Sequence, residues 1–182
     1  MLFRSFEDGL YTEAVENVYG FDGALYVPHV DGLGYWEGCG YATDEGGEWH
    51  NVRLPGQALH VFDMAQTPSG MWACGSRITP DQSTGVAAVW FRPTGAGEDG
   101  WVHHWDDPVT GGFSRYRHMR IEGDSVVVSQ GSGMPAYTVT AEGSAVSDQP
   151  LGPIASPQRW AMTESHIYIA GKAGQIHRST HG

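Results

Sequence analysis

Residue types that carry chemistry are plentiful in this chain and weakly patterned. Nine histidines and 21 carboxylates are spread over 182 residues. Cleavage of a glycosidic bond needs two carboxyl groups about 5 to 9 Å apart. Asp31, Glu37, Asp63, Asp106 and Asp107 are candidates, and no motif selects a pair among them. His103 and His104 are adjacent, so a strand sends their rings to opposite faces and they cannot share one ion. His60 with Asp63, or His118 with Glu122, would meet only if the fold joined them. No metal, no cofactor and no catalytic residue are therefore assigned. Arg115, Arg117 and Arg120 form a dense cationic group. A nucleophile-elbow serine, a phosphate-cradling glycine loop and a dinucleotide fingerprint are all missing.

The aromatics point to binding instead. Tyr35 and Trp36 lie in the glycine-rich "DGLGYWEGCG", and Trp101 and Trp105 flank the histidine pair. Aromatic rings beside acids and glycines suit a sugar ring or a protein partner. Tyr35, Trp36, Trp101, His103 and Trp105 are the binding candidates. The stretch "RITPDQSTGVAA", residues 77–88, reads as the longest loop and as a place for recognition.

The elements that must position these residues are strands. Gly contributes 26 residues and Pro 10, and 40% of the chain is hydrophobic, which suits short strands joined by tight turns around a packed core. No stretch of a dozen residues has a helical apolar period. Four hairpin-like segments recur: "ENVYGFDGALYVPHV", "LHVFDMAQTPSGMWACGS", "RYRHMRIEGDSVVVSQG" and "RWAMTESHIYIAGKAG". Their second strands centre near Leu25, Met71, Val126 and Ile167, about 46, 55 and 41 residues apart, the spacing of four-stranded propeller blades. A further hairpin follows each of the first three, as in "GYATDEGGEWHNV", "AVWFRPTGAGEDGWVHHW" and "AYTVTAEGSAVSD".

The net charge of −11, with Lys172 the one lysine, repels nucleic acid phosphates and anionic lipid heads. No nucleic acid partner and no membrane insertion are expected. The N-terminal "MLFRSFEDGLYTEAVE" does not read as a signal peptide. Cys39 and Cys74 are too few for a disulfide framework or a zinc site. Buried free thiols are expected, with a single bridge as the alternative.

The segment "ATDEGGEW" resembles the Asp-box repeat of sialidase-type β-propellers, Ser/Thr-x-Asp-x-Gly-x-x-Trp. Asp44, Gly46 and Trp49 match, and Ala42 stands where the motif has Ser or Thr. "FRSFEDG" and "HRSTHG" are similar to its lead-in. The resemblance implies that Asp44, Gly46 and Trp49 are a structural turn, with the glycine reversing the chain and the tryptophan covering apolar surface between blades. It also implies one domain over residues 1–182: an all-β propeller of four blades, alternatively five, closed by N- and C-terminal strands. Small propellers of this look resemble bacteriophage minor tail and other virion proteins. The expected function is a non-enzymatic structural and binding module of a virion, made in the host cytoplasm. Its partners would be other subunits, its own copies or a host-surface glycan. The alternatives are a glycoside hydrolase and an intracellular, cytoplasmic interaction scaffold.

Overall fold

A computed structural model describes residues 17–29, 40–44, 49–79, 85–108, 115–130, 136–147, 157–162, 166–171 and 176–180. The chain is all-β. Its described residues form four separate antiparallel sheets, each a meander in chain order, and they close no barrel.

The first sheet holds β1 (Tyr19–Phe21), β2 (Ala24–Pro28), β3 (Gly40–Asp44) and β4 (Trp49–Arg53). The second holds β5 (Ala58–Thr67), β6 (Gly70–Ile78), β7 (Gly85–Pro93) and β8 (Val102–Asp106), with a 3-10 turn over Glu98–Gly100. The third holds β9 (Met119–Glu122), β10 (Ser125–Ser129), β11 (Ala136–Thr140) and β12 (Gly143–Ser147). The fourth holds β13 (Pro157–Met162), β14 (His166–Gly171) and β15 (Ile176–Thr180).

Turn chemistry fixes the hairpins. Between β1 and β2, Asp22 and Gly23 take φ of 50° and 85°, the paired left-handed geometry that matches strand twist. Pro68 and Ser69 turn β5 into β6, and Gly123 with φ of 61° turns β9 into β10. The expected loop at residues 77–88 is strand at both of its ends. Arg77 and Ile78 end β6, and Gly85 to Ala88 begin β7, because these two strands pair from Gly70↔Pro93 to Ile78↔Gly85.

Strand alternation builds two cores from one sheet. In β6, Met71 and Ala73 face the first sheet while Trp72 and Cys74 face the third. In β7, Ala88 and Trp90 go one way, and Ala87, Val89 and Phe91 go the other. The first core is completed by Tyr26, Tyr41 and Val52, the second by Met119, Val126, Val128, Tyr137 and Val139. The second sheet is therefore stacked face to face between its neighbours in sequence. A fully buried large side chain such as those here contributes about 1.5–3 kcal/mol.

Hydrogen bonds stitch the sheets together. Val61 N–H donates to His29 O at 3.0 Å, and Tyr116 N–H donates to Gly75 O at 3.0 Å. At the hairpin end, Ser69 N–H donates to Asp124 Oδ1 at 2.7 Å and Gln66 Nε2 donates to Asp22 Oδ2 at 2.5 Å. The first-to-second strand turns of three sheets thus share one end of the molecule. The other end, the connecting-loop end, holds the described residues that lead from one sheet to the next, 54–57 and 115–118. β13 of the fourth sheet lies against β9.

Candidate binding face

The two histidines of β8 diverge, as alternation requires. His103 Nε2 meets Asp106 Oδ1 at 2.8 Å, and its ring stands edge-on to Trp90. His104 Nε2 meets Thr140 O at 2.7 Å, with its ring beside Trp72 and Phe91. His103 belongs to the seam with the first sheet and His104 to the seam with the third.

Most of the aromatics are spent on packing. Trp101 is 5% exposed. Its Nε1 donates to the Tyr41 hydroxyl at 2.9 Å, and Arg92 lies 5.5 Å above its ring. Burial pushes the Tyr41 hydroxyl up to about 12 against the opposing pull of that indole hydrogen bond. A chain of ring contacts runs Tyr19, Phe21, Tyr26, Tyr41, Trp101 with centres 5.5–5.8 Å apart. Trp105 is half-buried, stacked on Tyr116 with planes 9° apart and tilted against Tyr137. Trp49 sits opposite Asp44 in the β3–β4 register and packs on Val27 and Ala42, the face of the first sheet turned away from the second. Tyr35, Trp36, Gly46 and Cys39 lie outside the described residues. Cys74 is a buried free thiol whose Sγ lies 3.9 Å from Tyr116 O.

Each described carboxylate put forward for bond cleavage already has partners. Asp63 is 2% exposed. Its Oδ1 accepts from the Tyr19 hydroxyl and, at 3.0 Å, from its neighbour's N–H on Met64. Its Oδ2 accepts from Met119 N–H at 2.9 Å and meets His118 Nδ1. Asp106 takes both nitrogens of an Arg77 fork, at 2.8 and 2.5 Å, besides His103. Partial burial pushes the Asp106 carboxyl up, but the bonds from Arg77 and His103 outweigh it and hold the group well below the usual carboxylate range. The same bond raises Arg77 above its ordinary value. Asp107 is buried and accepts from the Tyr116 hydroxyl at 2.6 Å. Burial first, and then Asp107, push that hydroxyl far up. Internal donors thus occupy part of the accepting capacity of each of these carboxylates. Asp31 and Glu37 lie outside the described residues.

His60 Nδ1 lies 2.9 Å from Ser76 Oγ, and β5 is bulged between Ala58 and His60 and between Val61 and Asp63. His118 meets Asp63 rather than Glu122, which pairs with Arg120 at 3.1 Å. Among the described residues no group of three or more His, Cys, Asp or Glu could hold a metal ion. Among them, too, no helix is long and apolar enough to cross a membrane.

The connecting-loop end keeps polar groups within reach of solvent: Arg77, His103 and Asp106 on the second sheet, and Arg115 and Arg117 where the chain enters the third. This end is the candidate binding face. Sequence reasoning singled out His103 and the arginine group on it, and missed that Phe62 carries the arginines and that Arg77 clamps Asp106. No protein-family model matches this chain, and no curated protein matches it significantly.

Proposed function

We propose that the chain is a small β-propeller in which each of the four meanders is one blade, and that it works as a structural and binding module, not as a catalyst. Face-to-face stacking of successive meanders supports the blade arrangement. The fourth sheet has three described strands, and a strand from the N-terminal segment would complete it. The ring would then have no pair of free sheet edges.

One observation carries the binding reading. The three described carboxylates suited to sugar-bond cleavage are tied down by internal donors, while the connecting-loop end presents arginine and histidine side chains to solvent. Such a scaffold recognises; it does not transfer protons. The proposed setting is a bacteriophage virion, where the module docks on other subunits or on a host-surface glycan. That setting rests on the resemblance of the Asp44–Trp49 segment to Asp-box propellers.

Light scattering on a sizing column, with a fluorogenic glycoside panel beside it, tests the reading. The expected result is a multimer or a stable complex with a co-expressed virion subunit, and no turnover. Turnover of any glycoside that is lost on replacing a carboxylate would overturn it in favour of a hydrolase.

A further inference from the structure

The turn between β1 and β2 is built from a reactive pair. Four aspartates stand directly before a glycine in the sequence: Asp8, Asp22, Asp31 and Asp99. An aspartate so placed is prone to rearrange, because glycine has no side chain to shield its nitrogen from the carboxyl group behind it. Asp22-Gly23 and Asp99-Gly100 lie among the described residues, and their surroundings differ.

Asp99-Gly100 is held. The Gly100 N–H donates to Gly97 O at 2.9 Å. A Cβ on Gly100 would stand 2.5 Å from the Ala96 Cβ, so this backbone is packed against its own turn. Asp22-Gly23 is open. Both of its residues are exposed, and nothing lies within 4 Å of the Gly23 Cβ position. The Gly23 N–H has no acceptor among the described residues. One contact restrains the pair: Gln66 Nε2 donates to Asp22 Oδ2 at 2.5 Å and draws the carboxyl group toward the second sheet.

We propose that Asp22 is a site of isoaspartate formation, with Gln66 as its brake. The Gly23 nitrogen gives up its proton and bonds to Asp22 Cγ. The Cγ–O bond breaks and water leaves, which closes a cyclic imide. A second water then opens the imide. Opening at Cγ restores aspartate. Opening at the former main-chain carbonyl routes the backbone through the side chain and leaves a carboxylate on Cα. Water is lost once and gained once, and no other reactant enters.

The product does not fit the turn. An isoaspartate puts an extra carbon into the main chain. Phe21 and Ala24 close a two-residue turn whose φ values of 50° and 85° suit two ordinary residues in left-handed geometry. Its loss frees one end of β1, the strand that carries Tyr19 to Asp63. The bond between Asp22 and Gln66 goes with it, so the seam between the first and second sheets loosens at the hairpin end. The altered chain is also a substrate for an enzyme that methylates isoaspartyl carboxylates. None of this depends on the binding-module reading above.

Incubation of the folded full chain in neutral buffer over several weeks tests the site, with peptide mapping by electron-transfer mass spectrometry to read each Asp-Gly bond separately. Isoaspartate should accumulate at residue 22 about fivefold or more faster than at residue 99, the factor that one hydrogen bond's restraint supplies. Gln66→Ala should speed conversion at residue 22 about fivefold more by the same reasoning, and leave residue 99 unchanged. Near-UV circular dichroism shows whether the variant keeps the native packing. Should Gln66→Ala not fold, the comparison of the two bonds in the wild-type chain still decides the matter. Equal rates at residues 22 and 99, conversion at residue 22 that needs urea, or an unchanged rate in a folded Gln66→Ala chain overturns the proposal.

Discussion

His118 Nδ1 meets Asp63 Oδ2 across the seam between the second and third sheets. The same carboxylate accepts from Tyr19 of β1 and from the first residue of β9, Met119. One buried acid thereby ties together the leading strands of three sheets. A carboxylate can be carried into an interior only where donors replace its lost water, and here there are four.

Asp63→Ala should cost about 3–5 kcal/mol, because it leaves the Tyr19 hydroxyl and the Met119 N–H without their acceptor. Asp63→Asn keeps the shape and one acceptor, and should cost less. Urea unfolding followed by tryptophan fluorescence measures both. A loss below about 1 kcal/mol for the alanine variant would show that the seam stands without this node.

Gly75 lies where two strands come too close for a side chain. A Cβ there would stand 1.9 Å from His60 O and 2.8 Å from His60 C, both rigid backbone atoms. Gly143, on β12, has nothing within 4 Å of its Cβ position. Gly75→Ala should therefore lower the thermal midpoint sharply or abolish soluble expression, while Gly143→Ala stays near wild type. Equal behaviour of the two would mean that β5 and β6 are not held at this spacing.

Acid should weaken the fold in two separate windows. Burial lowers the His29 imidazole from 6.5 to about 4, against a weaker opposing hydrogen bond with Asn51. Between those values the unfolded chain takes up a proton that the folded chain refuses, so stability falls as pH drops through that window. The slope is at most about 1.4 kcal/mol per pH unit. Asp106 acts lower. Its folded carboxyl is depressed, so its contribution is complete above the unfolded value of 3.8 and is lost as pH falls below it. That contribution is smaller than the shift suggests, since the side chain is 29% exposed to solvent. Urea midpoints at pH 7.5, 6 and 5 should fall steadily for wild type and more gently for His29→Gln. Parallel slopes would exclude His29 as the source.

Tyr41→Phe removes the oxygen that accepts from Trp101 Nε1 and leaves a buried indole N–H unpaired. The expected cost is about 1–3 kcal/mol, with a change in the near-UV tryptophan bands. An unchanged spectrum and midpoint would place the Trp101 ring elsewhere.

The hairpins were legible because their signals are local. Asp22-Gly23, Pro68-Ser69 and Gly123-Asp124 are turn formers between apolar runs, and each sits at the turn it announces. The β3–β4 pairing was readable from "GYATDEGGEWHNV" for the same reason, with Asp44 opposite Trp49. The Asp63 node was not readable, since it joins residues 44 and 56 positions apart through packing that no local pattern encodes. The burial of Trp101 was not readable for a related reason. Beside glycines and acids a ring reads as exposed, yet stacked sheets draw such rings inward. The sequence extent of the loop at residues 77–88 was overread because small residues such as Gly85, Ala87 and Ala88 pass for loop formers until both faces of their strand are covered.

The doubly covered second sheet has a consequence for how the molecule opens. Its middle strands carry Trp72 and Trp90 on opposite sides, both wholly enclosed. Amides of β6 and β7 can therefore reach deuterium only when a neighbour has already peeled away, and they should be among the last to exchange. Loosening would begin at the flanks and leave this central slab as the residual folded unit.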